Sequence, residues 1–348
     1  DLIVFELADA LPNDATVIES LPELWQRWLF SRYGYPEAND VRVYPWPDVI
    51  THDVLSVSTQ VCGTDLALLP YTSGTTGLPK GCMHTHASLM HNAIGAGPWL
   101  DLRAGDKQMV AVPLFHITGL VMGMLACIQN RAQIVLLPRW DRKAAGRMIS
   151  QQQVTHWPNI PTMVIDLLSG DDLDQYDLSS LRYIGGGGAP MPDAVGERLK
   201  SVYALDYVEG YGLTESAAPT HLNPMSAPHR HCLGIPYIGT QALIIDMDTL
   251  QPLPVGEVGE IVVMGPQLFK GYWKQADATK QAFVLIEGQT YFRTGDIGRM
   301  DHDGYFYMAD RLKRMINASG FKVWPAEVEA LLHHHRSEEH TSELQSQR

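Results

Sequence analysis

Apolar strand-like runs alternate with helix-like segments between Leu66 and Tyr207, and this alternation limits the possible folds more than any other feature of the chain. The predicted strands are Leu66–Tyr71, Gln108–Val112, Gln133–Leu137, Val154–Trp157, Arg182–Gly185 and Asp206–Val208. The predicted helices are Ala87–Ala96, Thr118–Ile128, Arg142–Gln152, Pro161–Leu168 and Pro192–Tyr203. Such alternation is typical of parallel strands joined by crossover helices. We therefore predict a layered α/β domain that binds ligands beyond the carboxyl ends of its strands.

The sequence pattern changes after Gly234. Strand-like runs such as Ala242–Ile245, Glu260–Met264 and Gly304–Met308 are joined there by Gly, Pro and Asp turns. We predict an α/β core at residues 1–233 and a β-rich subdomain of the same large domain at residues 234–312.

Residues 336–348 have no hydrophobic period and resemble the translation of a sequencing-library adapter. We expect them to be an artefact and exclude them from the functional argument.

The composition excludes several classes of function. The 348 residues carry 26 Lys and Arg against 39 Asp and Glu, a formal net charge of −13 without a basic run. Nucleic acid is therefore not an expected partner. The apolar stretch Met109–Ile128 is interrupted by Pro113 and His116 and lacks charged flanks, so we predict no transmembrane segment. The four cysteines have no CxxC spacing, which fits free thiols in a reducing compartment, so we predict a cytoplasmic protein. Peripheral membrane association and the oligomeric state stay open.

The segment "YTSGTTGLPKG", Tyr71–Gly81, combines hydroxyls, glycines and one lysine directly after a strand-like run. Backbone N–H groups, hydroxyls and a lysine at such a turn are suited to holding phosphate. The P-loop of nucleotide hydrolases does not fit, because Gly81 follows Lys80 where that motif needs Ser or Thr. A flexible linker is the alternative, although linkers seldom carry a fixed Lys and a Pro. We predict a polyphosphate loop of another kind.

Further motif-like segments follow in order: Tyr71–Gly81, Pro113–His116, Gly186–Pro190, Tyr211–Glu215, Tyr291–Asp296 and Asp310–Lys313. In this order they resemble the AMP-forming acyl-CoA synthetases, fatty acid–CoA ligase-like members of the adenylate-forming superfamily. The resemblance runs from about Leu66 to Leu332. It implies that residues 313–335 begin a small C-terminal lid domain. It also implies a chain truncated at both ends, without the adenylation lysine that the family carries in its lid.

The resemblance implies a reaction between a carboxylic acid, ATP with Mg²⁺, and CoA, through an acyl-AMP. Residues implied to grip the phosphates are Thr72, Ser73, Gly74, Thr75, Thr76, Gly77 and Lys80. Residues implied to contact the rest of the nucleotide are Gly186, Gly187, Gly188, Ala189, Pro190, Tyr211, Gly212, Thr214, Asp296 and Arg311. The implied Mg²⁺ ligands are Glu215 and Thr72, because that ion prefers oxygen ligands. Lys313 is the implied hinge.

The implied catalytic residues are His116, Lys80, Thr214 and Glu215. A lone histidine in an apolar stretch is more often a core residue, and Glu215 alone could be a solvated acid in a turn. The small residues Gly185–Gly188 leave room for an extended acyl chain. The chain as a whole resembles medium- or long-chain fatty acid–CoA ligases, and this resemblance implies such an acid as substrate. An aryl acid of the coumarate type, or a non-catalytic nucleotide-binding fragment, is the alternative. We expect the truncated chain itself to be inactive.

Overall fold

The structure is a computed structural model that describes residues 60–72 and 79–311, together with strand segments at residues 2–4, 43–45, 316–318 and 321–323. The chain divides into two compact units, Asp1–Val61 and Cys62–Arg348. In the first unit, strands β1 (Leu2–Val4) and β2 (Val43–Pro45) pair in parallel. All elements discussed below belong to the second unit.

A seven-stranded sheet forms the centre of the second unit. Its strands are β5 (Lys107–Val110), β6 (Gln133–Leu136), β7 (His156–Asn159), β8 (Tyr183–Gly186), β9 (Tyr207–Leu213), β10 (Ala218–Leu222) and β11 (Ile235–Pro236). The strand order is β11-β10-β9-β8-β7-β5-β6. Strands β9, β8, β7, β5 and β6 run parallel, whereas β10 and β11 are antiparallel to their neighbours. The predicted parallel α/β core is confirmed.

Local capping signals explain where three of the following helices begin. The helices are α1 (His86–Leu100), α2 (Ala126–Asn130), α3 (Arg142–Gln152), α4 (Pro161–Leu168) and α5 (Asp193–Tyr203). Asp141 Oδ1 accepts the Ala144 N–H at the start of α3, and Pro161 occupies the first turn of α4. At the start of α1, Thr85 and Ser88 exchange side chain–backbone hydrogen bonds in a capping box. The predicted bounds of α3 and α4 are confirmed.

The predicted helix Thr118–Ile128 differs from the observed one. Gly119–Leu125 forms a π-helix, and the α-helical turn α2 follows it. The buried side chain of Gln108 donates from Nε2 to the carbonyls of Met122 (2.8 Å) and Gly123 (3.0 Å). A polar side chain that enters the helical ladder favours a widened turn, and π-helical turns occur often at functional sites.

The predicted strand Leu66–Tyr71 does not belong to the parallel sheet, and that part of the prediction is wrong. Strand β3 (Leu66–Leu68) pairs antiparallel with β4 (His84–Thr85) in a separate two-stranded sheet. The loop between them therefore closes a hairpin and does not lead into a crossover helix. Apolar patterning alone does not distinguish these two kinds of strand.

A second, antiparallel sheet contains the predicted β-rich strands. Its members are β12 (Gln241–Ile245), β13 (Gly259–Met264), β14 (Phe283–Ile286), β15 (Gln289–Met300) and β16 (Phe306–Arg311), with helix α6 (Ala276–Gln281) before β14. Because β11 still belongs to the first sheet, the change of sheet falls between β11 and β12. Strands β17 (Ile316–Ala318) and β18 (Phe321–Val323) pair with each other. Within the described part of the chain, every helix is too short or too polar to span a membrane.

Candidate nucleotide site

The candidate phosphate loop closes on itself at the end of the β3–β4 hairpin. The Thr72 N–H donates to the Lys80 carbonyl (2.9 Å), and Thr72 Oγ1 accepts the Lys80 N–H at 3.4 Å. Tyr71 and Gly81 form an antiparallel bridge next to this pair. The Thr72 hydroxyl, predicted as a metal ligand, thus closes the loop in this structure. The predicted residues Ser73, Gly74, Thr75, Thr76 and Gly77 lie outside the described residues.

Lys80 and Glu215 meet through a third residue, Tyr272. The Lys80 Nζ lies 4.8 Å from the centroid of the Tyr272 ring, a cation–π distance. The Tyr272 hydroxyl donates to Glu215 Oε1 at 2.7 Å. Burial, and secondly the Glu215 charge, raise the pKa of this hydroxyl, so it stays protonated and acts as the donor. Two predicted catalytic residues therefore share one corner of the molecule.

The backbone around Glu215 is held in a strained turn. Ala217 and Ala218 both have positive φ, 51° and 84°, a conformation that costs a non-glycine residue about 1–3 kcal/mol. The two N–H groups of Asn92 Nδ2 are shared among three carbonyls within hydrogen-bond distance, those of Ser216 (3.1 Å), Ala217 (2.8 Å) and Pro219 (3.1 Å). Helix α1, which follows the candidate phosphate loop, thereby fixes the turn that carries Glu215.

His84 makes a second connection between these two segments. Its Nε2 donates to the Thr214 carbonyl at 2.7 Å, and its Nδ1 lies 3.1 Å from the Ser88 hydroxyl. Burial lowers the pKa of this imidazole, so the ring is neutral at pH 7 with its proton on Nε2. The predicted residue Thr214 is thus fixed through its backbone carbonyl.

Tyr211 and Asp296 form a direct, buried pair. The Tyr211 hydroxyl donates to Asp296 Oδ2 at 2.6 Å, and the two residues are 9% and 3% exposed. Asp296 is held in turn by Thr294, whose Oγ1 accepts the Asp296 N–H (3.1 Å) and donates to the Ile261 carbonyl (2.7 Å). Arg311 lies opposite Asp296 in the β15–β16 register. Two strands from different sheets thus bring the predicted adenine and ribose contacts together.

Glu260 anchors the segment that carries Asp296. This carboxylate is 1% exposed, and its Oε2 accepts two hydrogen bonds from Arg293, at 3.0 Å from Nε and 2.6 Å from Nη2. Its Oε1 accepts the Gly295 N–H at 3.1 Å. Both oxygens are therefore engaged in fixing residues 293–295. The predicted hinge Lys313 lies outside the described residues.

The glycine-rich segment follows β8 at the carboxyl edge of the sheet. A Cβ on Gly186 would collide with the Asn159 carbonyl, and one on Gly187 with the Gly210 carbonyl. Gly188 has φ +90° and open space on its Cβ side, where a ligand has room to approach. The predicted residues Ala189 and Pro190 are exposed beyond it.

Two further residues near this edge are Glu209, which was not predicted, and Gly212, which belongs to the predicted set. Glu209 Oε1 accepts the Met191 N–H at 3.2 Å and so fixes the end of the glycine-rich segment, while burial raises the pKa of its carboxyl. Gly212 is exposed, and an added Cβ there would strike the Ala218 carbonyl. The β9–β10 hairpin therefore explains the glycine at this position without a ligand.

His116 lies on the exposed loop after β5, at the same edge of the sheet as the glycine-rich segment. Its Nδ1 accepts the Thr118 N–H at 3.2 Å, so that nitrogen carries a lone pair and the proton of a neutral ring is on Nε2. Partial desolvation lowers the pKa of this imidazole, which favours the same neutral form. The arrangement presents a neutral N–H donor at pH 7.

Comparison with known proteins fits this geometry. A family model described as "AMP-binding enzyme" matches residues 8–273. The chain belongs to the AMP-binding enzyme family. It is 38% identical over 276 residues to a long-chain-fatty-acid–CoA ligase of Bacillus subtilis, covering 78% of this chain and 49% of that protein. It is also 38% identical over 267 residues to a feruloyl-CoA synthase of an Amycolatopsis species, covering 76% of this chain and 53% of that protein.

Solved structures agree with the family assignment. The O-succinylbenzoate coenzyme A synthetase of Bacillus subtilis, solved in complex with ATP and magnesium ion, superimposes with a TM-score of 0.75. The two sequences are 27% identical, and the match covers 84% of this chain and 60% of that chain. The chain spans about half the length of the curated relatives it matches.

Several residues of this candidate site were missed by sequence reasoning. Four residues outside the predicted motifs hold the predicted residues in place: Tyr272, Asn92, His84 and Glu260. For Asn92 a signal existed, because it falls on the buried face of α1 with Leu89, Ala93 and Ala96, where an apolar residue is expected. Glu260 lies before the apolar run Ile261–Met264 of β13, where a charged residue is no signal of burial. Tyr272 carried no such signal.

Proposed function

We propose that this chain is the nucleotide-binding core of an ATP-dependent, AMP-forming carboxylic acid–CoA ligase. The corner formed by Lys80, Tyr272 and Glu215 carries the proposal, because it offers an ammonium for phosphate oxygens and a carboxylate oxygen for Mg²⁺. The Tyr272 hydroxyl donates a hydrogen bond to Oε1 of Glu215, and no hydrogen bond to Oε2 is found among the described residues. The residues present thus fit a Mg²⁺–nucleotide, with Lys80 and Glu215 on its phosphate side.

The remaining roles follow from the positions of the other residues. Tyr211 and the open side of Gly188 border the proposed base, and Asp296 would accept hydrogen bonds from ribose hydroxyls. Magnesium would neutralise charge on the departing pyrophosphate. The neutral His116 would donate a hydrogen bond near the acid and the entry route of CoA.

Calorimetry with ATP, in the presence of Mg²⁺ and in the presence of EDTA, tests this proposal on the chain itself. Wild-type protein is expected to bind ATP more tightly with Mg²⁺. Glu215→Gln should reduce this magnesium-dependent gain about tenfold or more, because one anionic ligand is lost. Glu197→Gln, on the exposed face of α5, is the matched control and should leave the gain unchanged.

Asp296→Ala separates the ribose contact from the metal contact. This substitution is expected to weaken ATP binding with and without Mg²⁺ alike, since it acts on the nucleoside. Wild-type protein without any ATP affinity would refute the proposed function. Equal ATP affinity in Asp296→Ala and wild type would refute the ribose assignment alone.

We propose a medium- or long-chain fatty acid as the substrate class. Phe115 (93% exposed) and Ile160 (39% exposed) follow the neighbouring strands β5 and β7, so apolar surface is available at the carboxyl edge of the sheet. Because such acids partition into lipid, the proposal includes a cytoplasmic protein with peripheral contact to membranes. An aryl acid is the second candidate, favoured by the equal identity to the feruloyl-CoA synthase.

Stable acyl-AMP analogues distinguish the two substrate classes without requiring turnover. Dodecanoyl-sulfamoyl-adenosine is expected to bind about tenfold more tightly than feruloyl-sulfamoyl-adenosine. This ratio corresponds to the burial of one or two additional methylene groups of the acyl chain. Adenosine alone provides the reference for the shared nucleoside part. Tighter binding of the feruloyl compound would assign the chain to the aryl class instead.

A further inference from the structure

Two opposite charges lie in the same corner without pairing. Burial raises the pKa of the Cys82 thiol; the Glu215 charge raises it further, and the Lys80 charge lowers it. Both charges thus act on this buried thiol, and both charged groups contact the same residue, Tyr272. Across the described residues no ion pair joins Lys80 to Glu215. An ammonium and a carboxylate in such proximity would ordinarily attract each other.

Tyr272 contacts both charged groups with different parts of its side chain. The ring face supports the Lys80 ammonium at 4.8 Å, and the hydroxyl donates to Glu215 Oε1 at 2.7 Å. Each charge thus has a partner that does not neutralise it. A direct ion pair would instead leave neither charge fully available to a ligand.

The position of the Tyr272 ring is fixed by its surroundings. Its backbone bridges Cys82 and its N–H donates to Thr279 Oγ1 at 2.9 Å. Tyr272 is 8% exposed, and its ring packs edge-on against the Phe269 ring, with 4.9 Å between the two ring centroids. The preceding Gly271 has φ +137°, a conformation that suits glycine. These contacts hold the ring in its position beside Lys80 and Glu215.

We propose that Tyr272 is a positioning residue that keeps Lys80 and Glu215 apart, so that the ammonium remains available to phosphate and the carboxylate to Mg²⁺. This inference rests on the proposed function of the corner. A purely structural aromatic residue would instead contribute packing to the cluster around Phe269 and have no specific effect on either charge.

The first experiment measures the availability of Lys80 without any nucleotide. Trace acetylation of amines, quantified by mass spectrometry, compares Lys80 with the exposed Lys143 as internal reference. In Tyr272→Leu, Lys80 is expected to collapse onto Glu215 and to be labelled about threefold more slowly, the scale of a partly exposed ion pair. Adding Glu215→Gln should restore the rate. Tyr272→Phe keeps the ring and should leave the rate near that of wild type.

The second experiment measures the magnesium-dependent gain in ATP affinity. Tyr272→Phe is expected to reduce this gain about fivefold or more, since the hydrogen bond that orients the carboxylate is lost. The matched control is Tyr176→Phe, because Tyr176 also donates to a carboxylate, Asp172, at 2.7 Å. That pair lies in the connection that leads into β8, at the amino edge of the sheet, and its loss should leave the gain unchanged.

The outcomes separate this inference from the proposed function. Wild-type protein that binds no Mg²⁺–ATP would refute the function, whereas the labelling result would still test the spacing of the charges. Unchanged or faster Lys80 labelling in a folded Tyr272→Leu would overturn the inference. If Tyr272→Leu does not fold, an unchanged magnesium-dependent gain in Tyr272→Phe would overturn it.

Discussion

Glu260→Ala is expected to lower the free energy of unfolding by about 3–5 kcal/mol, the cost of breaking a buried ion pair from one side. Glu260 is 1% exposed, and its two oxygens accept three hydrogen bonds, two from Arg293 and one from the Gly295 N–H. The alanine variant leaves the Arg293 guanidinium and a backbone donor without their acceptor. Urea denaturation followed by circular dichroism measures the change.

Two further variants test this explanation of the Glu260 effect. Arg103→Ala breaks an ion pair with Asp101 whose side chains are 69% and 49% exposed, and should cost less than about 1 kcal/mol. The double variant Glu260→Met with Arg293→Met removes both charges and should recover much of the lost stability. A cost for Glu260→Ala no larger than that of Arg103→Ala would contradict a structural role for the buried pair.

The parts of the fold that were predicted correctly are those specified by local sequence. Helices α3 and α4 carry their own start signals, Asp141 and Pro161, so their bounds follow from neighbouring residues. The assignment of Leu66–Leu68 to a hairpin depends on a partner strand beyond the candidate phosphate loop. The π-helix carbonyls accept hydrogen bonds from the side chain of Gln108, which precedes it on β5. Neither contact can be derived from periodicity.

The candidate site was predictable only as far as its loops. The chain order of strands places Pro113–His116, Gly186–Pro190 and Tyr211–Glu215 at one edge of the sheet, because the strands before them run parallel. The supporting residues arise from long-range packing. Asn92 reaches carbonyls more than 120 residues away in sequence, and Tyr272 and Glu215 are 57 residues apart. Such contacts need the folded chain before they can be identified.

His221, which packs beside Tyr211 in this site, is expected to make the protein sensitive to acid. Complete burial lowers the pKa of this imidazole to about 3. Its Nδ1 lies 3.0 Å from the Thr220 hydroxyl, whereas its Nε2 has no hydrogen-bond partner among the described residues. The ring packs against Phe306, with 4.5 Å between centroids, and against Tyr211 at 5.8 Å. A positive charge there would be removed from solvent.

The sign of the effect follows from which state binds the proton first. In the unfolded chain a histidine has a pKa near about 6.5, so on acidification the unfolded state is protonated before the folded state. The stability that the neutral His221 contributes is therefore complete above about pH 6.5 and is lost at about 1.4 kcal/mol per pH unit as the pH falls towards the folded pKa. Between pH 6.5 and 4.5 the loss should reach about 2–3 kcal/mol.

Replacing His221 with leucine removes this titration while keeping an apolar side chain of similar volume. The variant is expected to lose about 2–3 kcal/mol less stability than wild type between pH 6.5 and 4.5, whatever its stability at neutral pH. Urea denaturation at a series of pH values measures the slope. Buried His84 and His156, whose pKa values are also lowered by burial, remain in both proteins and cancel in the comparison. His302→Leu, at an exposed turn, should leave the wild-type slope unchanged. A slope in His221→Leu equal to that of wild type would contradict this prediction. It would show that the pKa of His221 is the same in the folded and unfolded states.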